Sequence, residues 1–193
     1  MIRQILIFLI AAFMLVGCNV DQDSLVSPID EGYTDLGTEV SPDWIVLPAR
    51  TNLSAEGSVS VSKLVKGNEE TLLEINTGYQ VGWNKWIQIT ANARFQRNSF
   101  HGQRYITMTI DDECGTATFS PSGNFDKPVI YNLTIMGLDL SRVNQNNVKF
   151  VYFAPDGRYY QPKYRQMYIE RQSGKLQIND AELPHFSRFG FTR

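Results

Sequence analysis

The sequence predicts an all-β protein built as an antiparallel β-sandwich, and three observations carry the prediction. Polar and apolar residues alternate over short runs rich in β-branched side chains, as in residues 105–110. Such runs recur along the chain at a spacing of roughly 8 to 15 residues, with Gly, Pro, Asn and Asp between them. After the apolar N-terminus, no stretch of about ten residues keeps a helical period. Short strands with frequent turns are typical of two packed sheets.

The predicted strands begin after a short apolar run at residues 44–48, bounded by Pro48, which is interpreted as a first edge strand. The following runs lie at 59–65, 72–75, 83–91, 105–110, 116–119, 128–135, 148–153, 167–170, 175–178 and 183–191. Residues 154–158 have the chemistry of a tight turn, with Pro early and Gly late. Trp83 and Trp86 fall on opposite faces of a regular strand, so we expect at most one to be exposed.

The N-terminus has the pattern of an export signal. Arg3 precedes an unbroken apolar run at residues 5–16, which is too short for a comfortable membrane span. Leu15-Val16-Gly17-Cys18 follows and resembles the lipobox of bacterial lipoproteins, although a buried helix is the alternative for the apolar run. The resemblance implies a signal peptide over residues 1–17 and three acyl chains, such as palmitate, on Cys18. Two or more chains anchor a protein stably, so we expect a membrane-anchored protein of the cell envelope.

The position after Cys18 bears on which membrane is expected. Asp there retains some lipoproteins at the inner membrane, and Asn19 therefore favours the outer one. The chain has two cysteines, so acylation of Cys18 would exclude an internal disulfide. The exported domain is then expected to hold its fold by packing.

Charge divides the mature chain into a tether and a domain. Residues 19–43 contain seven acids and no Lys or Arg, so residues 18–43 are predicted to form a flexible, lipidated acidic tether. Residues 44–193 contain 17 basic and 13 acidic residues, a balance of +4, and form the predicted domain. A modest positive balance without a run of Lys or Arg does not predict nucleic-acid binding.

Three segments of the domain resemble the ZU5 domain in their order and spacing. They are residues 119–129 (Phe-Ser-Pro-Ser-Gly-Asn-Phe-Asp-Lys-Pro-Val), 151–157 (Val-Tyr-Phe-Ala-Pro-Asp-Gly) and 185–189 (His-Phe-Ser-Arg-Phe). The resemblance covers residues 57 to 193 and implies a β-sandwich, in agreement with the strand pattern. ZU5 domains occur in ankyrins, netrin receptors and death-domain adaptors, and similar domains occur in bacterial exported proteins. The resemblance implies a binding or structural module.

Some ZU5 domains cleave their own chain between the Phe and the Ser of a His-Phe-Ser triplet. By that resemblance His185 would be the base, Phe186 the acyl donor and Ser187 the nucleophile, and water would hydrolyse the resulting ester. In an extended strand His185 and Ser187 stand nearly two residues' rise apart, so the attack requires a bent and strained backbone. A cut would release residues 187–193 and no further domain.

The preferred interpretation of this segment is therefore structural. Phe186, Phe189 and Phe191 are expected to pack in the core, while His185 and Ser187 satisfy nearby backbone groups. The protein is accordingly not expected to be an enzyme, and self-cleavage at Phe186-Ser187 is kept as the alternative.

A second candidate surface is rich in tyrosine. Four tyrosines and the basic residues between them would stack on sugars or contact a partner if they were exposed together. They are Tyr159, Tyr160, Tyr164 and Tyr168, with Arg158, Lys163 and Arg165. The surface predicts a polysaccharide or an envelope protein as the partner. Packing in the core is the alternative, because β-rich proteins use Tyr there as well.

Metal and cofactor sites are not expected. Asp111, Asp112 and Glu113 offer oxygen ligands for Ca²⁺ but lack the spaced acids of a dedicated loop, so a solvated hairpin end is preferred. His101 and His185 have no paired Cys or His with zinc spacing. The sequence also contains no Gly-rich phosphate loop and no G-x-S-x-G motif, so a hydrolase is not predicted.

Overall fold

The structure is a computed structural model that describes residues 34–38, 42–51, 57–154 and 158–193. Within these ranges the chain forms strands and no helix, and so no helix there is long and apolar enough to cross a membrane. The strands are β1 Thr34–Thr38, β2 Ser58–Lys66, β3 Thr71–Gln80, β4 Trp86–Phe95, β5 Gln103–Asp111, β6 Ala117–Ser120, β7 Asn124–Met136, β8 Lys149–Phe153, β9 Arg158–Gln161, β10 Gln166–Glu170, β11 Lys175–His185 and β12 Arg188–Thr192. The predicted signal peptide and Cys18 lie outside the described residues.

The strands form two antiparallel sheets that pack face to face. A seven-stranded sheet has the order β1-β9-β8-β12-β6-β5-β2, and a five-stranded sheet has the order β10-β11-β7-β4-β3. Strand alternation places every second side chain between the sheets. In β4, for example, Ile87, Ile89 and Phe95 are buried, whereas Gln88 and Thr90 are exposed. The predicted antiparallel β-sandwich is confirmed.

The C-terminal aromatic residues belong to the main core. Phe186, Phe189 and Phe191 are all buried, which confirms the prediction that they pack. β12 lies between β8 and β6 and pairs with both, so the phenylalanines on its inner face reach the middle of the sandwich. The Phe189 ring centroid lies 6.4 Å from that of Phe119 and 6.5 Å from that of Phe150.

The N-terminal part of the domain differs from the prediction. The sequence predicts that residues 34–38 belong to the tether, but they form β1 and pair with β9 at the edge of the seven-stranded sheet. Residues 44–48 form no strand, and Trp44 makes an isolated bridge with Thr192. Pairing at a sheet edge uses backbone groups, so an acidic, turn-rich sequence can form such a strand without an alternating pattern that would predict it. Residues 155–157 of the predicted turn lie outside the described part of the chain.

This N-terminal segment covers a second apolar cluster. Trp44, Cys114, Val151 and Phe153 are buried together, and Leu36 and Tyr159 are partly buried against them. Phe150 and Tyr152 of β8 belong to the main core, so Val151 and Phe153 point to the opposite, outer face of the seven-stranded sheet. Part of that outer face is therefore closed by the chain itself.

The hairpin that joins β3 to β4 corrects one expectation. Trp83 is 91% exposed and Trp86 is 60% exposed, although at most one was expected to be. Trp83 lies in the hairpin loop, where Gly82 and Asn84 have positive φ, so strand alternation does not apply to it. Trp86 begins β4 and points outward.

Candidate functional site

The His185-Phe186-Ser187 triplet lies where the chain crosses from one sheet to the other. β11 ends at His185 in the five-stranded sheet, and β12 begins at Arg188 in the seven-stranded sheet. The backbone bends at Phe186, and each of the three residues is 1% exposed. The bend meets one requirement for attack by Ser187 on the Phe186 carbonyl, so the positions of the side chains decide what the triplet can do.

Phe186 anchors the crossing in an aromatic cluster. Its ring centroid lies 4.4 Å from that of Phe125, 5.9 Å from that of Phe119 and 6.3 Å from that of Phe95. The Phe186 backbone N–H donates a hydrogen bond of 2.9 Å to the Gly123 carbonyl. Contacts with three rings and a backbone bond hold this residue firmly between the two sheets.

Ser187 uses its hydroxyl to bind the backbone of a neighbouring strand. The Oγ donates to the Phe153 carbonyl oxygen over 2.9 Å, and the Ser187 carbonyl accepts from the Phe119 N–H over 3.3 Å. Nucleophilic attack requires the hydroxyl proton to pass to a base, and a carbonyl oxygen is too weak a base for that transfer. In this arrangement the hydroxyl connects the start of β12 to the end of β8.

His185 packs in an aromatic stack behind the crossing. It lies opposite Asn124 in the pairing of β11 with β7. The imidazole centroid is 4.3 Å from that of Tyr152 in an edge-on contact and 6.3 Å from that of Phe189. The Ser187 hydroxyl is directed at Phe153, and the imidazole contributes to packing beside it.

Arg188 follows the triplet and was not singled out from the sequence. It is buried, and its Nε donates to Thr116 Oγ1 over 3.1 Å, while Nη2 lies 3.3 Å from Asp111 Oδ2. Its Cζ lies 5.5 Å from the centroid of the Trp44 ring. Burial lowers the pKa of Arg188, and the negative charge of Asp111 opposes that effect. The position of Arg188 between Phe186 and Phe189 is the feature of the sequence that could have indicated its buried pair with Asp111.

The acidic loop after β5 is an ion-pair cluster. Asp112 is buried and forms a salt bridge with Arg50, which corrects the expectation of a solvated hairpin end. Asp111 Oδ1 accepts hydrogen bonds from the Glu113 and Cys114 backbone N–H groups at 2.7 and 3.3 Å. Arginines already balance the charges of both aspartates, which leaves little attraction for Ca²⁺. The residues described here contain no group of three or more His, Cys, Asp or Glu placed to hold a metal.

Tyr79 joins this loop to the N-terminal segment. Its hydroxyl lies within hydrogen-bonding distance of the Pro48 carbonyl, at 3.1 Å, and of the Asp112 carbonyl, at 3.2 Å. Burial, and then the negative charge of Asp112, raise the pKa of Tyr79 to about 12. The neutral phenol is therefore the form that the fold favours.

The predicted tyrosine surface is divided among different parts of the molecule. Tyr159 packs against the second apolar cluster, whereas Tyr160 and Tyr164 pack against the main core, and all three are partly buried. Tyr160 also stacks on Tyr152, with the ring centroids 5.8 Å apart. Arg158 is exposed at the start of β9. These residues do not share one exposed face.

Cys114 bears on the predicted lipid anchor. The structure pairs its sulfur in a disulfide, whereas the sequence predicts a domain without one. The chain has two cysteines, so an internal disulfide at Cys114 would use the sulfur of Cys18 that a lipid thioether also requires. The two modifications exclude each other. Cys18 lies outside the described residues, and its acylation stays a prediction.

Comparison with known proteins leaves the resemblances as they were inferred from the sequence. The ZU5-like segments fall on β6 and β7, on β8, and on the crossing into β12. The chain matches no protein-family model, no curated protein and no solved structure, so its likeness to ZU5 domains stays a prediction.

Proposed function

We propose that this chain is a lipid-anchored protein of the cell envelope whose ZU5-like β-sandwich acts as a binding or structural module. The observation that favours a binding or structural module over a self-cleaving one is the hydrogen bond from the Ser187 hydroxyl to the Phe153 carbonyl. It supports a structural role for the triplet, because the same hydroxyl would be the nucleophile in self-cleavage. Burial of Phe186 among three aromatic rings supports the same role.

The anchor is supported by the order of features at the N-terminus. Arg3, the apolar run and Cys18 precede an acidic segment that would separate the domain from the lipid headgroups. Fractionation of cells that express the wild type or Cys18→Ser tests the anchor. The wild type should sediment with the membranes, and the variant should move to the soluble fraction. Equal partitioning of the two proteins would contradict the anchor.

Mass spectrometry distinguishes the lipid from the disulfide. A peptide of the mature protein that begins at Cys18 should carry the mass of the acyl chains. An unlipidated Cys18 peptide, linked to the peptide that contains Cys114, would contradict the proposal and favour the disulfide instead.

Self-cleavage is the second candidate, and the bend at Phe186 favours it. A cut would leave β12 hydrogen-bonded to β8 and β6, so the two pieces would stay together in native protein. Intact mass must therefore be measured in denaturant, with Ser187→Ala as the control. We expect one uncut species for both proteins. Loss of residues 187–193 from the wild type alone would establish self-processing.

A further inference from the structure

We propose that the outer face of the five-stranded sheet binds a neutral polysaccharide. In this proposal Trp86 and Tyr168 stack on sugar rings, and amide and hydroxyl side chains between them bind the sugar hydroxyls. The inference rests on the proposed function, since it assigns the binding module a ligand class and a surface. Of the tyrosine surface predicted from the sequence, the proposed surface includes Tyr168 alone.

The register of the strands aligns polar side chains in a row across this face. Tyr168 lies opposite Gln177, Gln177 opposite Thr134, Thr134 opposite Thr90, and Thr90 opposite Asn76. The row crosses all five strands, and at a strand spacing of about 4.8 Å it is roughly 19 Å long. Met136 and Gln88 form part of the neighbouring row. A surface of this length would contact several sugar units of an extended polymer.

The centre of the face carries no formal charge. Residues 86–92 of β4 and 130–136 of β7 include no Asp, Glu, Lys or Arg. Charged residues such as Glu74, Arg94 and Glu170 lie towards the borders of the sheet. An amide donates and accepts hydrogen bonds, as a sugar hydroxyl does. A neutral surface of this kind complements an uncharged polymer better than a polyanion or a polycation.

Hydrogen bonds between side chains fix the orientation of several amides. Asn132 Nδ2 donates to Asn92 Oδ1 over 2.9 Å, and Asn132 Oδ1 accepts from the Asp180 N–H over 2.9 Å. Gln177 Nε2 donates to Asn179 Oδ1 over 2.7 Å. Each bond between amides uses one of several hydrogen-bonding positions on each side chain. Amides that are already oriented lose less entropy when they bind a ligand.

Aromatic side chains on this face are open to solvent. Trp86 is 60% exposed at the start of β4, and Tyr168 is 43% exposed on β10. Large rings with a polar edge supply much contact area at low entropic cost. A membrane is the competing ligand for the exposed Trp83 and Trp86. It would need a broad apolar patch, whereas Gly82, Asn84 and Lys85 adjoin these rings in the loop.

Affinity electrophoresis of the full-length protein in mild detergent tests the proposal. Native gels would contain hydroxyethylcellulose, galactomannan, soluble starch or the anionic polymer alginate. We expect retardation by at least one neutral polymer and none by alginate. Trp86→Ala and Tyr168→Ala should each weaken binding about tenfold, the loss expected for one stacked ring. Tyr105→Ala is the matched control, because Tyr105 is 71% exposed on the other sheet, and it should bind as the wild type does.

Three results would overturn the proposal. They are the absence of retardation by every neutral polymer, equal weakening by Tyr105→Ala, and binding only to vesicles of phosphatidylethanolamine and phosphatidylglycerol. The last result would assign Trp83 and Trp86 to a membrane. The electrophoresis uses protein extracted in detergent, so its result does not depend on where Cys18 directs the protein in the cell. Failure of the polysaccharide test therefore leaves the anchor standing, and failure of the anchor test leaves polysaccharide binding standing.

Discussion

The two outer faces of the sandwich carry similar residues in different surroundings. On the seven-stranded sheet, Val151 and Phe153 point outward and are buried beneath Trp44 and its neighbours. On the five-stranded sheet, Trp86 and Tyr168 also point outward, and both are exposed. The difference is that the side chains of Trp44 and Leu36 pack over Val151 and Phe153 on one face, whereas no described residue buries Trp86 or Tyr168 on the other.

This difference separates stability from recognition. Apolar area removed from water stabilises a fold by about 25 cal/mol per Å², so the covered aromatic residues contribute to folding. Exposed rings gain little from folding, and exposed apolar surfaces often mark interaction sites. Substitutions on the covered face should therefore lower the free energy of unfolding, and those on the open face should weaken ligand binding.

The largest effect is expected from Trp44→Ala on the covered face. The substitution removes the ring that lies over Gly190 and beside Arg188, and it leaves a cavity above Val151 and Phe153. The free energy of unfolding should fall by about 3–5 kcal/mol. Urea denaturation would measure the loss. A loss below about 1 kcal/mol would mean that the packing of Trp44 over Val151 and Phe153 contributes little to stability.

Gly190→Ala should have the next largest effect. A Cβ at this position would lie 2.7 Å from Thr116 Cγ2 and 3.0 Å from Trp44 Cζ3, so these two side chains would have to shift. We expect a loss of about 1–3 kcal/mol in the free energy of unfolding. In Trp44→Ala the same change should cost less, because one of the crowding groups is gone. Strictly additive losses in the double variant would show that the two residues are not coupled.

Tyr79 should make the attachment of residues 42–51 to the domain sensitive to alkaline pH. Its pKa is raised from 10.0 to about 12 on folding, so its contribution to stability is complete below pH 10. The contribution is lost as the pH rises through about 12. Burial also raises the pKa of Tyr131, so the wild type must be compared with Tyr79→Phe. Urea midpoints from pH 9 to 12 should fall more steeply for the wild type, and parallel curves would contradict the assignment.

The smallest effect on stability is expected from Trp86→Ala on the open face. Exposed side chains away from special contacts usually change the free energy of unfolding by less than about 0.5 kcal/mol. Urea denaturation of this variant beside Trp44→Ala compares the two faces directly. A loss of several kcal/mol at Trp86 would mean that the open face is part of the folding core, and the comparison would fail.

The sandwich was predictable because its signal is local. Alternation within β4, β5 and β7 identifies strands one run at a time, and no knowledge of their partners is needed. The ion pairs and the pairing of β1 were not predictable in the same way. Asp112 pairs with Arg50 62 residues away and Asp111 with Arg188 77 residues away, so neither pair leaves a local pattern. β1 was missed because backbone pairing with β9 imposes little on side chains.

The candidate site was predictable in composition and not in geometry. The His185-Phe186-Ser187 motif identified the segment, but the direction of the Ser187 hydroxyl depends on the Phe153 carbonyl, which belongs to another strand. The open face had a weak sign in the sequence, the amides and threonines at alternate positions of β4 and β7. Only the register between strands shows that they form one row.

The central position of β12 has a consequence for biogenesis. β8 and β6 are synthesised earlier, but they do not pair with each other, since β12 lies between them. The seven-stranded sheet therefore stays in two parts until residues 188–192 have been made. A nascent chain arrested before that point would expose strand edges on both parts, and such edges invite aggregation. Chains truncated before residue 188 are therefore expected to aggregate more readily than the full chain.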